Sequence, residues 1–471
     1  MKIEQIYTGC LAQGAYYIVS SGEAAIIDPL REIQPYLERA QKDCVNIKYI
    51  FETHFHADFV SGHLDLSKST NAPIVYGPTA NPEFNAIIAE DGEEFKLGNI
   101  TIKVLHTPGH TLESSCFLLK DETGKDYALF SGDTLFLGDV GRPDLAQKSA
   151  SMTQDELAGL LYESLTSKIM PLSDDIIVYP AHGAGSACGK NMMKETVDTL
   201  GNQKKVNYAL NQPNKELFIK SVTDGLLPPP SYFGMNVAMN KKGYESFDTI
   251  LHNAMKPLTI EEFKTVAEIT DAILLDTRGA SDFAKGFVPR SINIGINGDF
   301  APWVGSLIKD VKQPILLITE LGKEKETIMR LSRVGFDNVI GYLAGSFENW
   351  KKSENEFDTV NRILATQFAA ELDVKKDFVI DVRKENEYRA EHIDNAFSKP
   401  LDQINNWFIG LNKEKPFYLH CAGGYRSMIA ASILKARGIH SFKEIEGGFK
   451  AISETEIPKT DFVCQSKLQG L

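Results

Sequence analysis

Several features that would direct this 471-residue chain to a membrane, an oxidising compartment or a nucleic acid are missing from its sequence. The six cysteines are scattered without a Cys-x-x-Cys pair, which disfavours a disulfide framework and indicates reduced thiols. No apolar run approaches the roughly 20 residues that cross a bilayer, and no apolar segment of a secretory signal follows Met1. No basic block offsets the net charge of −13, which disfavours nucleic acids and anionic membranes as partners. We therefore expect a cytoplasmic protein.

The length of the chain predicts about three domains. Residues 1–200 alternate strand-like runs with short helical segments, a mixed α/β pattern that predicts a sheet sandwich with helices outside. Residues 201–257 are interpreted as a connector that packs on this first domain and contains a stiff proline-rich spacer, 226–230. Residues 258–355 and 360–465 are two copies of an internal repeat.

Side chains of metal-ligand type follow strand-like runs at four places in the first domain. His54, His56 and Asp58 follow the run 47–51, and His110 follows the run 100–105. Asp133 follows the run 127–130, and His182 follows the run 176–178. Isolated histidines often only line a core, but four such coincidences are rare. Rigid strands that end at one edge of a sheet present short loops there, so this pattern predicts a metal site.

The ordered ligand set resembles that of the metallo-β-lactamase superfamily, which implies an αββα sandwich. In that pattern a histidine normally follows Asp58 and helps to hold a second metal, whereas this chain has Phe59, which cannot coordinate a metal. The departure favours a single metal ion. Within the superfamily the sequence is most similar to the persulfide dioxygenase branch, and this resemblance implies one Fe(II) on His54, His110 and Asp133.

Two imidazoles and one carboxylate with open positions are typical of non-haem Fe(II) sites that use O₂. The resemblance then makes His56, Asp58 and His182 groups that orient ligands or substrate. Arg142, in a Gly-Arg-Pro-Asp turn, is expected to place a guanidinium near an anionic sulfur substrate, although an ordinary surface turn is the alternative. Cys188 either lines the pocket entrance or is a buried structural thiol, and the sequence leaves both interpretations open.

The two repeat copies share an Asp-x-Arg motif after a strand-like run, at Asp276 and Arg278 in the first and at Asp381 and Arg383 in the second. Each copy alternates apolar runs with helical segments, which predicts a parallel sheet with crossover helices. The repeat resembles rhodanese domains.

The second copy carries a nucleophile. Cys421 follows a strand-like run and precedes a helical segment, 428–437, so its sulfur faces backbone N–H groups and the positive end of a helix. Arg426 adds a fixed charge that favours the thiolate. Four residues separate Cys421 from Arg426, whereas Cys-based phosphatases use the wider Cys-x₅-Arg. The tighter loop suits a terminal sulfur, so we expect a Cys421 persulfide whose substrate contacts the loop residues Ala422, Gly423, Gly424 and Tyr425.

The first copy has no cysteine at the equivalent position, which falls at Thr319 or Glu320. Neither side chain can carry sulfane sulfur. We therefore expect this domain to resemble a rhodanese in fold only, to separate the other two domains, and to offer a contact surface for a homo-oligomer.

Taken together, the chain resembles the persulfide dioxygenase–rhodanese fusions of bacterial sulfide detoxification. The resemblance implies oxidation of a low-molecular-weight persulfide by O₂ to sulfite, with Cys421 passing sulfane sulfur to sulfite to give thiosulfate. The carrier thiol (glutathione, coenzyme A, bacillithiol or cysteine) is left open. Two alternatives remain: a zinc thioester hydrolase of the glyoxalase II type with a sulfurtransferase domain, and a non-enzymatic sulfur-carrier scaffold.

Overall fold

Two six-stranded sheets form the first part of the chain, and in each sheet the strands follow chain order. A computed structural model describes residues 1–147, 151–226 and 228–463. The first sheet contains β1 (Lys2–Thr8), β2 (Gln13–Ser20), β3 (Glu23–Ile27), β4 (Asn46–Phe51), β5 (Ile74–Tyr76) and β6 (Ile87–Ile88). The second contains β7 (Glu94–Leu97), β8 (Ile100–His106), β9 (Ser115–Lys120), β10 (Asp126–Gly132), β11 (Ile177–Pro180) and β12 (Asp198–Thr199).

The core lies between these sheets because alternate side chains of each strand point to opposite faces. On β2, Tyr16 and Ile18 join the inner core with Phe117 and Phe130 of the second sheet. Tyr17 instead faces outward, where the first sheet is covered by α1 (Gln34–Lys42) and α2 (His63–Thr70). The second sheet is covered by α3 (Gln154–Ser164), which begins with a capping box. The predicted αββα sandwich is confirmed.

The segment interpreted as a connector is mostly helical. It forms α4 (Leu200–Val206), α5 (Lys215–Thr223), α6 (Phe233–Lys242) and α7 (Phe247–Ala254). Phe218 and Val222 of α5 join the apolar layer outside the second sheet, and Val237 of α6 packs beside Phe55. Part of the proposed proline-rich spacer, Leu227, lies outside the described residues, as does Cys464.

Parallel five-stranded sheets form in both repeat copies, and their strand orders correspond. The first is ordered β13 (Pro257–Leu258), β17 (Val339–Leu343), β16 (Ile315–Ile318), β14 (Ile273–Asp276) and β15 (Ile292–Asn293). The second is ordered β18 (Arg362–Leu364), β22 (Phe442–Glu446), β21 (Phe417–His420), β19 (Val379–Asp381) and β20 (Phe397–Ser398). This arrangement is the one predicted from the repeat.

Helices connect the strands of these two sheets. In the first copy they are α8 (Ile260–Thr270), α9 (Ala280–Lys285), α10 (Phe300–Leu307), α11 (Glu324–Ser332) and α12 (Ser346–Lys352). In the second they are α13 (Ala365–Glu371), α14 (Glu385–Ala390), α15 (Ile404–Trp407), α16 (Tyr425–Ala436) and α17 (Gly448–Ile452). Among the described helices of the whole chain, none has the length and apolar character needed to cross a bilayer.

The chain divides into two compact units. The first consists of residues 1–249 with 332–335, and the second of residues 250–331 with the chain from 336 onward, so both repeat copies belong to the second unit. The five described cysteines carry free thiols, in agreement with the expectation of reduced cysteines.

The strand register identifies which residue of the first copy occupies the position of Cys421 in the second. Asp276 pairs with Ile318 across the first sheet, as Asp381 pairs with His420 across the second. The next residue in the first copy, Thr319, is therefore the counterpart of Cys421, which decides between the two positions left open by the sequence.

Candidate functional site

Three of the predicted ligands converge at one edge of the sandwich. The ligand atoms of His54, His110 and Asp133 all lie within 4.8 Å of one another, and the three side chains are buried. The Oδ2 atom of Asp133 lies 3.4 Å from Nε2 of His110 and 3.9 Å from Nε2 of His54. This oxygen accepts no hydrogen bond from the described residues although it is buried. Because an orphaned buried carboxylate oxygen is costly, these three atoms fit a shared metal ion.

Hydrogen bonds behind the two imidazoles orient them for coordination. His110 donates from Nδ1 to the carbonyl oxygen of Arg142 at 2.9 Å. Thr53 donates from Oγ1 to Asp28 at 2.9 Å, so the same oxygen accepts from Nδ1 of His54 at 3.0 Å. In both histidines the proton is therefore on Nδ1, and Nε2 presents its lone pair to the cluster. Metal-bound histidines usually have partners of this kind.

His182 lies between two carboxylates instead of joining the cluster. Its Nδ1 is 2.8 Å from Oδ1 of Asp133, and its Nε2 is 2.8 Å from Oδ2 of Asp58. Burial lowers the pKa of His182, but the charges of Asp133 and Asp58 outweigh this effect and raise the pKa to about 10. The resulting imidazolium donates from both nitrogens, so it holds Asp133 in place and has no free lone pair for a metal.

His56 points into a separate buried group. Its Nε2 lies 3.1 Å from Oδ1 of Asp28 and 3.4 Å from Oε2 of Glu52. Burial lowers the pKa of His56, but Asp28 and Glu52 raise it well above the usual range. The ring of Phe59 packs 4.3 Å from that of His56. His56 therefore supports His54 indirectly, through Asp28 and Thr53.

The sequence interpretation missed Asp28 and Glu52. Asp28 directly follows β3 and Glu52 directly follows β4, so both obey the same strand-end pattern as the predicted ligands. Applied to carboxylates as well as histidines, that pattern would have found them.

The guanidinium of Arg142, predicted to meet an anionic substrate, is engaged by Asp144. Its Nε and Nη2 donate to the two carboxylate oxygens of Asp144, each at 2.7 Å, and Nη1 donates to the carbonyl of Ala187 at 3.2 Å. The carbonyl oxygen of Arg142, which accepts from His110, is the part that supports the cluster.

Cys188 is a buried thiol beside the cluster. Its Sγ groups with the ligand atoms of Asp58 and His182 within 4.8 Å. Burial, followed by the charge of Asp58, raises the pKa of the thiol well above its usual range. The backbone carbonyl oxygen of Cys188 accepts from the backbone N–H of Arg142 at 3.1 Å. Cys188 is therefore a protonated side chain at neutral pH in this environment.

The second candidate site surrounds Cys421, at the junction of β21 and α16. The backbone N–H of Gly424 donates to Sγ at 3.1 Å, and the hydroxyl of Ser427 lies 3.4 Å from it. Gly424 has a φ of 100°, a conformation that a side chain would strain. The loop therefore points the backbone N–H of Gly424 at the sulfur, where it can stabilise an anion. Sequence reasoning gave no role to Ser427, although it lies in the first turn of the helix.

Arg426 is paired across this site. Its guanidinium donates to both carboxylate oxygens of Glu387, at 2.5 and 2.8 Å. Burial raises the pKa of Glu387, but Arg426 reverses this and holds it below the usual value. The charge that the sequence assigned to Arg426 is thus offset by Glu387, for which the sequence analysis predicted no role.

Because Arg426 and Glu387 are paired, substitutions of these two residues are expected to change the reactivity of Cys421 in opposite directions. Glu387→Gln is expected to free the charge of Arg426 and to shift the pH dependence of Cys421 alkylation to lower pH. Arg426→Ala leaves the Glu387 carboxylate unpaired in the cavity that Cys421 also lines, so the same profile should move to higher pH and sulfur transfer should slow by roughly tenfold or more.

Iodoacetamide reaction rates measured against pH, followed by mass spectrometry of the Cys421 peptide, test both variants. Glu371→Gln is the matched control because that exposed glutamate pairs with Lys443, away from the cavity. Shifts in the same direction for both variants would contradict the assigned roles.

Two family models match separate parts of the chain. The metallo-β-lactamase superfamily model matches residues 8–182, and the rhodanese-like domain model matches residues 259–353 and 364–455. A solved structure described as a metallo-β-lactamase from Staphylococcus aureus subsp. aureus COL is 31% identical, with a TM-score of 0.65. The alignment covers 73% of this chain and 99% of that one. The fold and metal-ligand cluster thus define a metal-binding αββα protein with two rhodanese-like domains. This chain belongs to the metallo-β-lactamase superfamily.

Other relatives match the first domain. A hydroxyacylglutathione hydrolase of Francisella tularensis subsp. novicida is 36% identical over 168 residues, which cover 36% of this chain and 61% of that protein. The chain spans about three-fifths of the length of the first curated relatives it matches. The structure of ETHE1 from Myxococcus xanthus is 27% identical, with a TM-score of 0.44, and covers 51% of this chain and 98% of that one.

Proposed function

We propose that this protein oxidises the persulfide of a low-molecular-weight thiol with O₂ at a single Fe(II), and transfers a second sulfur atom through Cys421. The observation that supports the proposal best is the three-ligand cluster of His54, His110 and Asp133, in a chain with Phe59 at the usual place of a further histidine. A cytoplasmic location and sulfite as a further substrate belong to the same proposal.

An Fe(II) held by these three residues would supply the redox chemistry and the open positions for O₂ and a substrate sulfur. Thr53 and the Arg142 carbonyl keep the two Nε2 lone pairs directed at the metal position. His182 keeps Asp133 ionised and fixed, because it donates to the carboxylate oxygen that faces away from the imidazole ligands. The reaction balances as R–S–SH + O₂ + H₂O → R–SH + SO₃²⁻ + 2 H⁺.

Cys421 would act on a second persulfide. Its thiolate attacks the outer sulfur, the S–S bond of the donor breaks, and R–SH leaves with the proton of the donor. The terminal sulfur of the enzyme persulfide stays anionic beside the N–H of Gly424. Sulfite then attacks this sulfur, which gives thiosulfate and restores the Cys421 thiolate. Covalent fusion of the two activities raises the effective concentration of sulfite near Cys421.

A zinc-dependent thioester hydrolase is the second candidate, and the hydroxyacylglutathione hydrolases among the relatives support it. Two features of the site count against a second metal ion. Phe59 removes a nitrogen ligand, and both nitrogens of His182 are already used by Asp58 and Asp133. A scaffold without catalysis has less support, because the buried cluster and the Cys421 loop are both complete.

Anaerobic purification of the whole chain, with metal analysis and an oxygen electrode, tests the proposal. We expect about one iron per chain and one O₂ consumed per glutathione or coenzyme A persulfide oxidised. Hydrolysis of a hydroxyacylglutathione thioester, measured on the same preparation, should remain at background. Two zinc ions per chain with rapid thioester hydrolysis would establish the second candidate instead.

A further inference from the structure

A cavity of about 590 Å³ lies over Cys421, and the domain without a cysteine builds one of its walls. Asn297, Gly298, Asp299 and Trp303 of the first repeat copy line it opposite Cys421. Pockets for small organic ligands measure roughly 300–1,000 Å³. Sulfite and thiosulfate would occupy a small fraction of this space, so the cavity has the size for a sulfur donor with an organic part.

Contacts between the two copies fix the wall relative to the nucleophile. Tyr425, the first residue of α16, donates from its hydroxyl to the carbonyl of Gly295 at 2.8 Å. Its ring lies against Gly298, where a Cβ atom would come within 2.5 Å of the ring carbons. The backbone N–H of Asn293 also donates to Ser432 of α16 at 2.9 Å. The first copy therefore does more than the spacing expected from its sequence.

The charges that line the cavity are of two kinds. Arg426 and Glu387 neutralise each other. Two further charged side chains are exposed: Asp299, on the wall from the first copy, and Lys384, directly before α14. Within the described part of the chain, neither side chain forms an ion pair. Trp303 is half-buried and lines the same cavity. The cavity thus offers an ammonium partner, a carboxylate partner and an aromatic surface beside one reactive sulfur.

We propose that this wall binds the organic part of the sulfur donor, and that the donor is an amino-acid or peptide persulfide with both an ammonium and a carboxylate group. The inference rests on the proposed sulfur transfer by Cys421. Asp299 attracts the ammonium group, Lys384 attracts the carboxylate, and Trp303 covers the apolar atoms. The outer sulfur of the donor then lies at Cys421, which forms the new S–S bond as R–SH departs.

Protection of Cys421 from alkylation tests this binding without turnover. The whole protein is treated with iodoacetamide in the presence of S-methylglutathione, which cannot donate sulfur, and the Cys421 peptide is quantified by mass spectrometry. We expect protection in the wild type, weakened roughly tenfold by Trp303→Ala. Asp299→Asn keeps the shape of the side chain, and we expect it to weaken this protection roughly two- to fivefold.

Asp282→Asn, an exposed change on the same domain away from the cavity, should protect like the wild type. Uncharged 2-(methylthio)ethanol should not protect. Equal protection in all variants, or protection by thiosulfate alone, would overturn the proposal. Protection from alkylation measures binding and needs no catalysis. If the wild type fails to transfer sulfur, the proposed function is refuted, but the protection experiment still decides whether the wall binds the donor.

Discussion

His110→Ala and Asp133→Ala are each expected to abolish iron binding and O₂ consumption. Each removes one of the three ligand atoms that lie within 4.8 Å of one another. Loss of a supporting contact typically lowers metal affinity by about 10–100-fold, and loss of a ligand should exceed this. Metal content of anaerobically purified protein and an oxygen electrode supply the two measurements.

These variants should keep the fold and the activity of Cys421, since the rhodanese-like domains have their own apolar cores. His252→Ala is the matched control because that histidine is exposed on α7, away from the cluster. Full iron content in both ligand variants would show that the metal is bound elsewhere. Loss of sulfur transfer together with the iron would show that the two sites are not independent.

Cys421→Ser is expected to eliminate sulfur transfer and to leave iron content and O₂ consumption unchanged. A hydroxyl keeps the geometry at the Gly424 N–H but cannot carry a persulfide. Removal of a covalent nucleophile lowers the rate by about 10³-fold or more. The product of persulfide oxidation should consequently shift from thiosulfate to sulfite. Transfer from thiosulfate to cyanide and chromatography of the sulfur anions are the measurements.

Cys44→Ser is the matched control, since Cys44 is an exposed thiol of the first domain. It should behave as the wild type in both assays. Thiosulfate formation by Cys421→Ser at the wild-type rate would mean that another residue carries the sulfane sulfur. The buried Cys188 would then be the first thiol to substitute.

The residues of both candidate sites could be selected from the sequence because their selection depends on local patterns. His54, His110 and Asp133 each follow a strand, and strands that end at one sheet edge bring their loops together. The loop from Cys421 to Arg426 is likewise short, and the backbone directions at the start of a helix determine what its N–H groups face. Phe59 could be noticed for the same reason, since its place in the motif is visible without any tertiary contact.

Tertiary structure alone decided which groups surround these residues. The hydrogen bond from Tyr425 to Gly295 joins residues 130 positions apart, and no local pattern marks either partner. His182 is separated from Asp58 by 124 residues. Its positive charge depends on the carboxylates of Asp58 and Asp133, which lie against it in the folded protein. The pairing of Arg426 with Glu387 spans 39 residues, and it offsets the positive charge that the sequence alone assigns to this site. Residue type and spacing determine which side chains can react, whereas packing determines the charge, orientation and substrate space of each site.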